Sequence, residues 1–315
     1  MTVSVNGIER TPAHPDQKSD VRNRARISQY TQFWKTKSSE DTERDNDHRI
    51  KEYESVTNSY YDGATDLYEY GWGKNFHFAR YYPGEAFQQA LARHEHYLSA
   101  STGLKEGMRV LDVRRANKYN AAAGLSHQIE VVKGDFMNLV DQFGENSFDA
   151  VYAIEATCHA PSWRGIRPNH EGPQARWQDN PEHRKISHGI EIGDGIAEMR
   201  TIAQARTALK TVGFEILREE DLAARDDQVP WYYPLRGNLR ECQSVWDYAT
   251  VIRMTWFGKI FTQSMVRVLE GVGLAPKGTY DIGEALKLAA DALVAGAEAK
   301  VFTPMMLFVC KKPEN

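Results

Sequence analysis

Acidic residues stand at the ends of three short apolar runs: Asp112 in MRVLDV (Met108–Val113), Asp135 in QIEVVKGD (Gln128–Asp135) and Glu155 in FDAVYAIE (Phe148–Glu155). Carboxylates at the carboxyl ends of parallel strands lie where an α/β sheet holds its ligands. A second concentration of chemistry is the stretch from Tyr60 to Glu85, YYDGATDLYEYGWGKNFHFARYYPGE. It sets nine aromatic rings among Asp62, Asp66, Glu69, His77 and Arg80. Those rings show neither helical nor alternating period, and Gly63, Gly71, Gly73 and Gly84 interrupt them. The expectation is a loop-rich aromatic lining, suited to a large flat apolar ligand or to a cation held over ring faces. VPWYYPL (Val229–Leu235), bounded by Pro230 and Pro234, is a second aromatic cluster and a candidate pocket wall or lid. His94 and His96 stand two apart, cannot face one another on a helix, and make a poor metal pair.

The elements that must position these groups follow from periodicity. MRVLDV, QIEVVKGD and FDAVYAIE are strand candidates, as are FEILREED (Phe214–Asp221) and the closing run VFTPMMLFVCKK, expected to be a buried strand. Phe87, Leu91, His94 and Leu98 recur at steps of four, three and four, which predicts a helix from about Gly84 to Ala100. Ile202–Val212 and residues 239–271 and 281–297 also have helical patterning. Strands alternating with helices predict an α/β, doubly wound sheet. Residues 1–20 are polar and expected to be disordered, and Val21–Val56 is expected to form an amphipathic docking helix followed by a polar connector.

Composition narrows the function. With 39 basic against 43 acidic residues the net charge is −4, which offers no electrostatic footprint for nucleic acid. A mean hydropathy of −0.58 and the lack of a long apolar run argue against a spanning helix and limit membrane contact to one face. The first twenty residues lack a basic region followed by an apolar stretch, which argues against a secretory leader. Cys158, Cys242 and Cys310 are scattered and are read as reduced thiols.

YEYGWG (Tyr68–Gly73), FHFARYYPGE (Phe76–Glu85) and ARHEHYL (Ala92–Leu98) resemble the sterol 24-C-methyltransferases. The likeness resumes in KGDFM, YAIEATCHAP, NPEHRK, IEIGDGI, VPWYYPL and FTPMMLFV, and covers most of residues 50–313. It implies an S-adenosylmethionine-dependent transfer of methyl to carbon 24 of a sterol side chain in ergosterol-type biosynthesis. The implied fold is a Rossmann-like methyltransferase sheet followed by a helical C-terminal sterol methyltransferase region. On that reading residues 1–50 are a polar segment, 51–220 the methyltransferase domain with its aromatic sterol segment at 60–85, and 221–315 the C-terminal region.

Two breaks interrupt the likeness. The family continues its first strand into a glycine-rich donor loop of the D-x-G-C-G-x-G type, whereas Val113 runs into RRANKYNAAAGL with no glycine before Gly124. Val113–Gln128 has room for one short helix, while a strand-helix-strand unit takes about 30 residues or more. The donor loop, its helix and the second strand are therefore expected to be missing. Arg114 and Arg115 are poor substitutes beside a positive sulfonium, because their Cβ atoms also block close backbone approach. The second break is Ser162–Asp179, which lacks periodicity. Codons can be chosen for Gly165–Trp177 so that reading one base later gives AYAQIMRVLKPG, a helical pattern closing in Lys-Pro-Gly like the family's helix-to-strand turn. An out-of-frame translation of that helix is the expectation, and both losses leave apolar sheet faces without neighbours.

In the reaction that the resemblance implies, the sterol double bond attacks the sulfonium methyl and leaves a carbocation, resolved by hydride shift and proton loss. Rings that shield the cation are sought in Tyr68, Tyr70, Trp72, Phe76, Phe78 and Tyr81, while Trp231 and Tyr232 from the second cluster are candidate sterol-binding residues of the pocket wall or lid. Candidates for the acid or base are Glu155, His159, Glu69 and His77, while Asp194 is a candidate to hold the sterol. Asp112, Asp135 and Phe136 match family positions for S-adenosyl-L-methionine. The resemblance also implies an insoluble sterol partner and peripheral attachment at the cytoplasmic face of the endoplasmic reticulum or lipid droplets, and it allows homo-oligomers. Two rivals stay open: an inactive relative that binds sterol or a protein partner, and the product of a defective gene.

Overall fold

The computed structural model describes residues 29–73, 75–112, 129, 132, 134–163, 180–225 and 229–313. The expectations for residues 1–28, for the short segment after Asp112, for half of the QIEVVKGD strand and for Gly165–Trp177 lie outside these residues. The described chain divides into two units. Glu95–Ala160 forms the smaller, and the described residues up to His94 and from Pro161 onward form the larger.

The smaller unit carries a parallel pair of strands, β1 (Val110–Asp112) and β2 (Ala150–Tyr152), with Val110 opposite Ala150 and Asp112 opposite Tyr152. Arg109 and Asp149 clamp its entry, the Arg109 N–H donating to the Asp149 carboxylate at 2.7 Å. Leu111 is buried, yet Val151 of β2 is 54% exposed. A Val in the interior of a complete parallel sheet is covered on both faces, whereas among the described residues β1 and β2 form a sheet of two strands.

In the larger unit, α1 (Glu43–Lys51) begins at a capping box in which Thr42 accepts from the Asp45 N–H and Asp45 from the Thr42 N–H. The next helix, α2 (Tyr53–Gly71), corrects the expectation of a loop-rich lining, because the first half of the aromatic stretch is helical. Val56, Tyr60, Ala64 and Tyr68 fall at steps of four. The period becomes visible once Val56, outside the aromatic window, is included, and Gly63 is tolerated within it. With Tyr30, Phe33 and Ile282, this face builds a core cluster. Of the docking helix expected at the start of Val21–Val56, the described residues 29–32 are helical; the polar connector expected after it instead carries a 3₁₀ turn at Ser38–Glu40, α1 and the start of α2, because Thr42 caps a new helix. α3 (Phe87–Ser101) follows the four-three-four spacing, and the unit boundary falls within it.

α4 (Pro181–Asp194) starts with Asn180 accepting from the Glu182 N–H and Pro181 at the first position, and ends at Gly195. It packs on α8 (Thr279–Glu298) through small residues. A Cβ on Gly193 would stand 2.0 Å from Ala289 Cβ and 2.6 Å from its Cα, and one on Gly189 would stand 2.8 Å from Ala292 Cβ. Gly193→Ala is therefore expected to force the helices apart and to cost about 1–3 kcal/mol, read as a lower urea midpoint. Gly84→Ala offers no control for crowding, since Gly84 has a φ of +78° and its cost would be conformational.

Between these helices lie α5 (Ile202–Thr211), with its own Thr201–Gln204 capping box, and β3 (Glu215–Asp221). The helical run expected over residues 239–271 is broken into α6 (Tyr248–Met254) and α7 (Trp256–Gly271), because Thr255 is extended and its hydroxyl accepts from the Gly258 N–H as a new cap. Residues before α6 are organised by buried Asp247, which accepts from the N–H groups of Phe87, Gln243 and Ser244 and from the Tyr233 hydroxyl. The last strand, β4 (Met306–Lys311), pairs antiparallel with β3 across a bulge. It is half-exposed rather than buried, since its pairing among the described residues is a two-stranded ribbon with β3. The result is a mixed α/β chain with a helical C-terminal region.

Candidate functional site

Tyr60 and Tyr68, eight residues apart on one face of α2, meet the last turn of α4. The Tyr60 hydroxyl donates to the Gly193 carbonyl at 2.6 Å and lies 2.8 Å from the Tyr68 hydroxyl. Tyr68 in turn is 3.2 Å from Asp194 Oδ1, and the Tyr30 hydroxyl donates to the Ile192 carbonyl. Gly195, at φ +65°, ends α4 in a conformation that costs glycine little, and a Cβ there would stand 2.7 Å from the Tyr60 ring. The helix thus ends where Tyr60 can reach its final carbonyls.

The Tyr68 hydroxyl donates to Asp194, and between the Tyr60 and Tyr68 hydroxyls either oxygen can be the donor, so Asp194, Tyr68, Tyr60 and the Gly193 carbonyl form one buried hydrogen-bonded chain. Burial pushes the Asp194 carboxyl from its usual 3.8 up to about 7, against the opposing hydrogen bond from Tyr68. Burial likewise raises the Tyr60 and Tyr68 hydroxyls well above 10, so both stay neutral. An acid near 7 that can donate or accept is the group this chain offers for handling a hydroxyl or a proton.

Phe76 packs on Tyr68 at 5.1 Å between ring centroids. The other rings of the stretch form a separate cluster: Trp72 edge-on to Phe78 and Phe87, Phe78 edge-on to Trp231, and Trp231 against Tyr232 and Phe302. Tyr81 is fully buried between Phe87 and Tyr233. His77 is buried, with Nδ1 2.8 Å from the Phe78 carbonyl and its ring near His94. Glu69 is half-buried on α2, and Tyr70 is exposed beneath the Arg253 guanidinium at 4.8 Å. Glu155, His159, Asp112, Asp135 and Phe136 belong to the smaller unit. Glu155 holds a left-handed φ of +50°, uncommon outside glycine and enriched at functional sites, and lies three residues beyond β2. His159 is buried in the 3₁₀ turn Thr157–His159. Tyr60 and Tyr30 were not singled out from the sequence; the eight-residue spacing of Tyr60 and Tyr68 was the signal available.

A buried ion-pair network holds α4 in place. Arg49, fully buried, places two guanidinium nitrogens 2.6 and 2.9 Å from the Asp41 carboxylate, reaches the Phe33 and Ala197 carbonyls and stacks over Trp34 at 4.4 Å. Arg184 bridges Asp41 and Glu191 at 2.7 and 2.8 Å. His188 faces both carboxylates, but two guanidiniums already neutralise them, so the grouping is structural rather than a cation site.

The family model for the sterol methyltransferase C-terminal region matches residues 249–314. The sterol 24-C-methyltransferase of Aspergillus fumigatus is 44% identical over 94% of this chain and 90% of its own length. That of Saccharomyces cerevisiae is 42% identical over 95% and 88%, and that of Yarrowia lipolytica 45% over 85% and 81%. The chain belongs to the sterol 24-C-methyltransferase family. No solved structure matches it. The Aspergillus alignment spans 342 positions against a chain of 315 residues, so this sterol 24-C-methyltransferase relative lacks segments that the fungal enzyme carries.

The family is S-adenosylmethionine-dependent, and the residues present here fit that donor poorly. Asp135 turns both carboxylate oxygens onto its own chain, accepting from the Met137 N–H at 2.9 Å and the Asn138 amide at 3.0 Å. The eleven residues after Asp112 contain no glycine to let the backbone approach a carboxylate or ribose.

Proposed function

We propose that this sterol 24-C-methyltransferase relative takes a sterol into its larger unit and presents Asp194 and Tyr68 to the sterol hydroxyl, with Phe76 and the Trp72–Phe78–Trp231 rings as apolar walls. The observation that carries the reading is the buried Tyr60–Tyr68–Asp194 relay, whose acid titrates near 7. At neutral pH such a group both donates and accepts, which is what a hydroxyl demands of its partner. The reaction of the reading is transfer of a methyl group from S-adenosylmethionine to carbon 24. Glu155 and His159 are the candidate proton acceptors in the smaller unit, and Asp112 is the remaining donor-side carboxylate. An insoluble substrate places the chain at the periphery of the endoplasmic reticulum or a lipid droplet. No helix among the described residues is long and apolar enough to cross a membrane.

The glycine-free segment after Asp112 favours a second reading, in which the chain binds sterol without turnover. Calorimetry separates the two: saturable S-adenosylmethionine binding with methylated product supports the transferase, and its loss with sterol binding intact supports the binding protein. Sterol should raise the unfolding temperature in either case, and Tyr68→Phe should weaken sterol binding roughly tenfold through loss of a buried hydrogen bond. An unfolding temperature indifferent to sterol refutes both.

A further inference from the structure

α7 and the residues flanking α6 and α7 leave several large apolar side chains uncovered. Trp246 is 79% exposed, Trp256 68%, Phe257 76% and Phe261 66%, and Val268 and Leu274 continue the stripe. On α7 the exposed apolar positions recur at helical steps, while the opposite side buries Val266. A patch of this kind is rare on a free protein surface and marks an interaction site.

Charge selects the partner. The exposed charged residues between Val245 and Lys277 are both cations, Arg267 and Lys277. The two acids in that span are withdrawn: Asp247 is buried under four donors, and Glu270 accepts from the Gly278 and Tyr280 N–H groups. The neighbouring Asp291 is neutralised by Lys259 at 2.7 Å. A protein partner of matched shape requires no such one-sided charge, whereas tryptophans and phenylalanines beside exposed cations, with the neighbouring Asp291 already paired to Lys259, suit the interfacial zone of an anionic bilayer.

We propose that the α6–α7 face docks on a lipid surface bearing anionic headgroups, with Trp246, Trp256, Phe257 and Phe261 entering the headgroup region. The inference rests on the reading of this chain as one that handles a sterol, for which it supplies the surface from which the ligand is drawn.

The test is pelleting of the full chain with sterol-free vesicles of phosphatidylcholine, with and without phosphatidylserine, followed by tryptophan quenching with brominated lipid. The expected result is binding that strengthens with phosphatidylserine, weakens with salt, and falls about tenfold for each of Phe257→Ser and Phe261→Ser. Because both side chains are exposed, the variants should keep the parent circular dichroism and, in detergent, its sterol binding. No pelleting with either vesicle, or pelleting unchanged in the double variant, overturns the proposal. So does a dimer by light scattering that the same variants dissolve, without vesicle binding, since the face would then seat a second copy. Loss of sterol binding in detergent by the parent chain would instead strike at the sterol reading alone.

Discussion

Asp194→Asn is expected to make the chain more stable at pH 8 and to flatten the dependence of its stability on pH. The folded-state carboxyl titrates near 7 against an ordinary value of 3.8. Between those values the folded protein holds a proton that the unfolded chain has released, so stability is full below about pH 4, falls as pH rises, and levels off above about pH 7. A displacement of that size corresponds to about 4 kcal/mol. Asparagine keeps the shape and an acceptor oxygen for Tyr68 but carries no charge to desolvate, so the variant should gain up to that amount at pH 8 and nothing at pH 4. Urea titrations of both proteins at pH 4, 6 and 8 decide the matter; parallel curves would show that Asp194 is not titrating in this range. Tyr68→Phe should move the Asp194 titration higher still, because its hydrogen bond is the influence that lowers it. Carboxyl-carbon resonances followed across pH report that shift directly.

Arg49→Met should be the most damaging single substitution in the larger unit. It would leave Asp41, whose side chain is 1% exposed, with Arg184 as its remaining guanidinium partner, and would free the Phe33 and Ala197 carbonyls. Breaking one side of a buried pair costs about 3–5 kcal/mol, since the remaining charge stays desolvated. The measurement is the urea midpoint of Arg49→Met, Asp41→Asn and the double variant. The double variant is expected to be less harmed than the sum of the singles, because the uncompensated carboxylate disappears with the arginine. An additive cycle would mean that the two side chains do not act together. Since the network also ties α4 to the segment before α1, the single variants should blunt the pH dependence that Asp194 imposes.

Much of the architecture was legible in local pattern. α3, α5 and α8 announced themselves by apolar residues at steps of three and four, and β1, β2 and β3 by short apolar runs, because each pattern needs only its own backbone geometry and one buried face. Family membership was also legible, from YEYGWG, IEIGDGI and VPWYYPL as ordered blocks, and so was the want of glycine after Asp112. Tyr68 neighbours both Phe76 and Asp194.

What local pattern could not carry was partnership across the chain. α2 was mistaken for a loop because its period depends on Val56, whose burial against Tyr60 and Ile282 is a tertiary fact. β4 has the apolar composition of a buried strand, and its half-exposure follows from which strands lie beside it. The acid near 7 is the clearest case: an Asp after a glycine has an ordinary carboxyl in an isolated peptide, and it becomes a weak acid because α2 brings Tyr60 and Tyr68 over it and excludes water. The Asp41–Arg184 contact, 143 residues apart in sequence, is of the same kind. Sequence by itself determined α3, α5, α8, the short strands and the family; tertiary structure decided α2 and the burial, because desolvation depends on everything that surrounds a group and not on its neighbours along the chain.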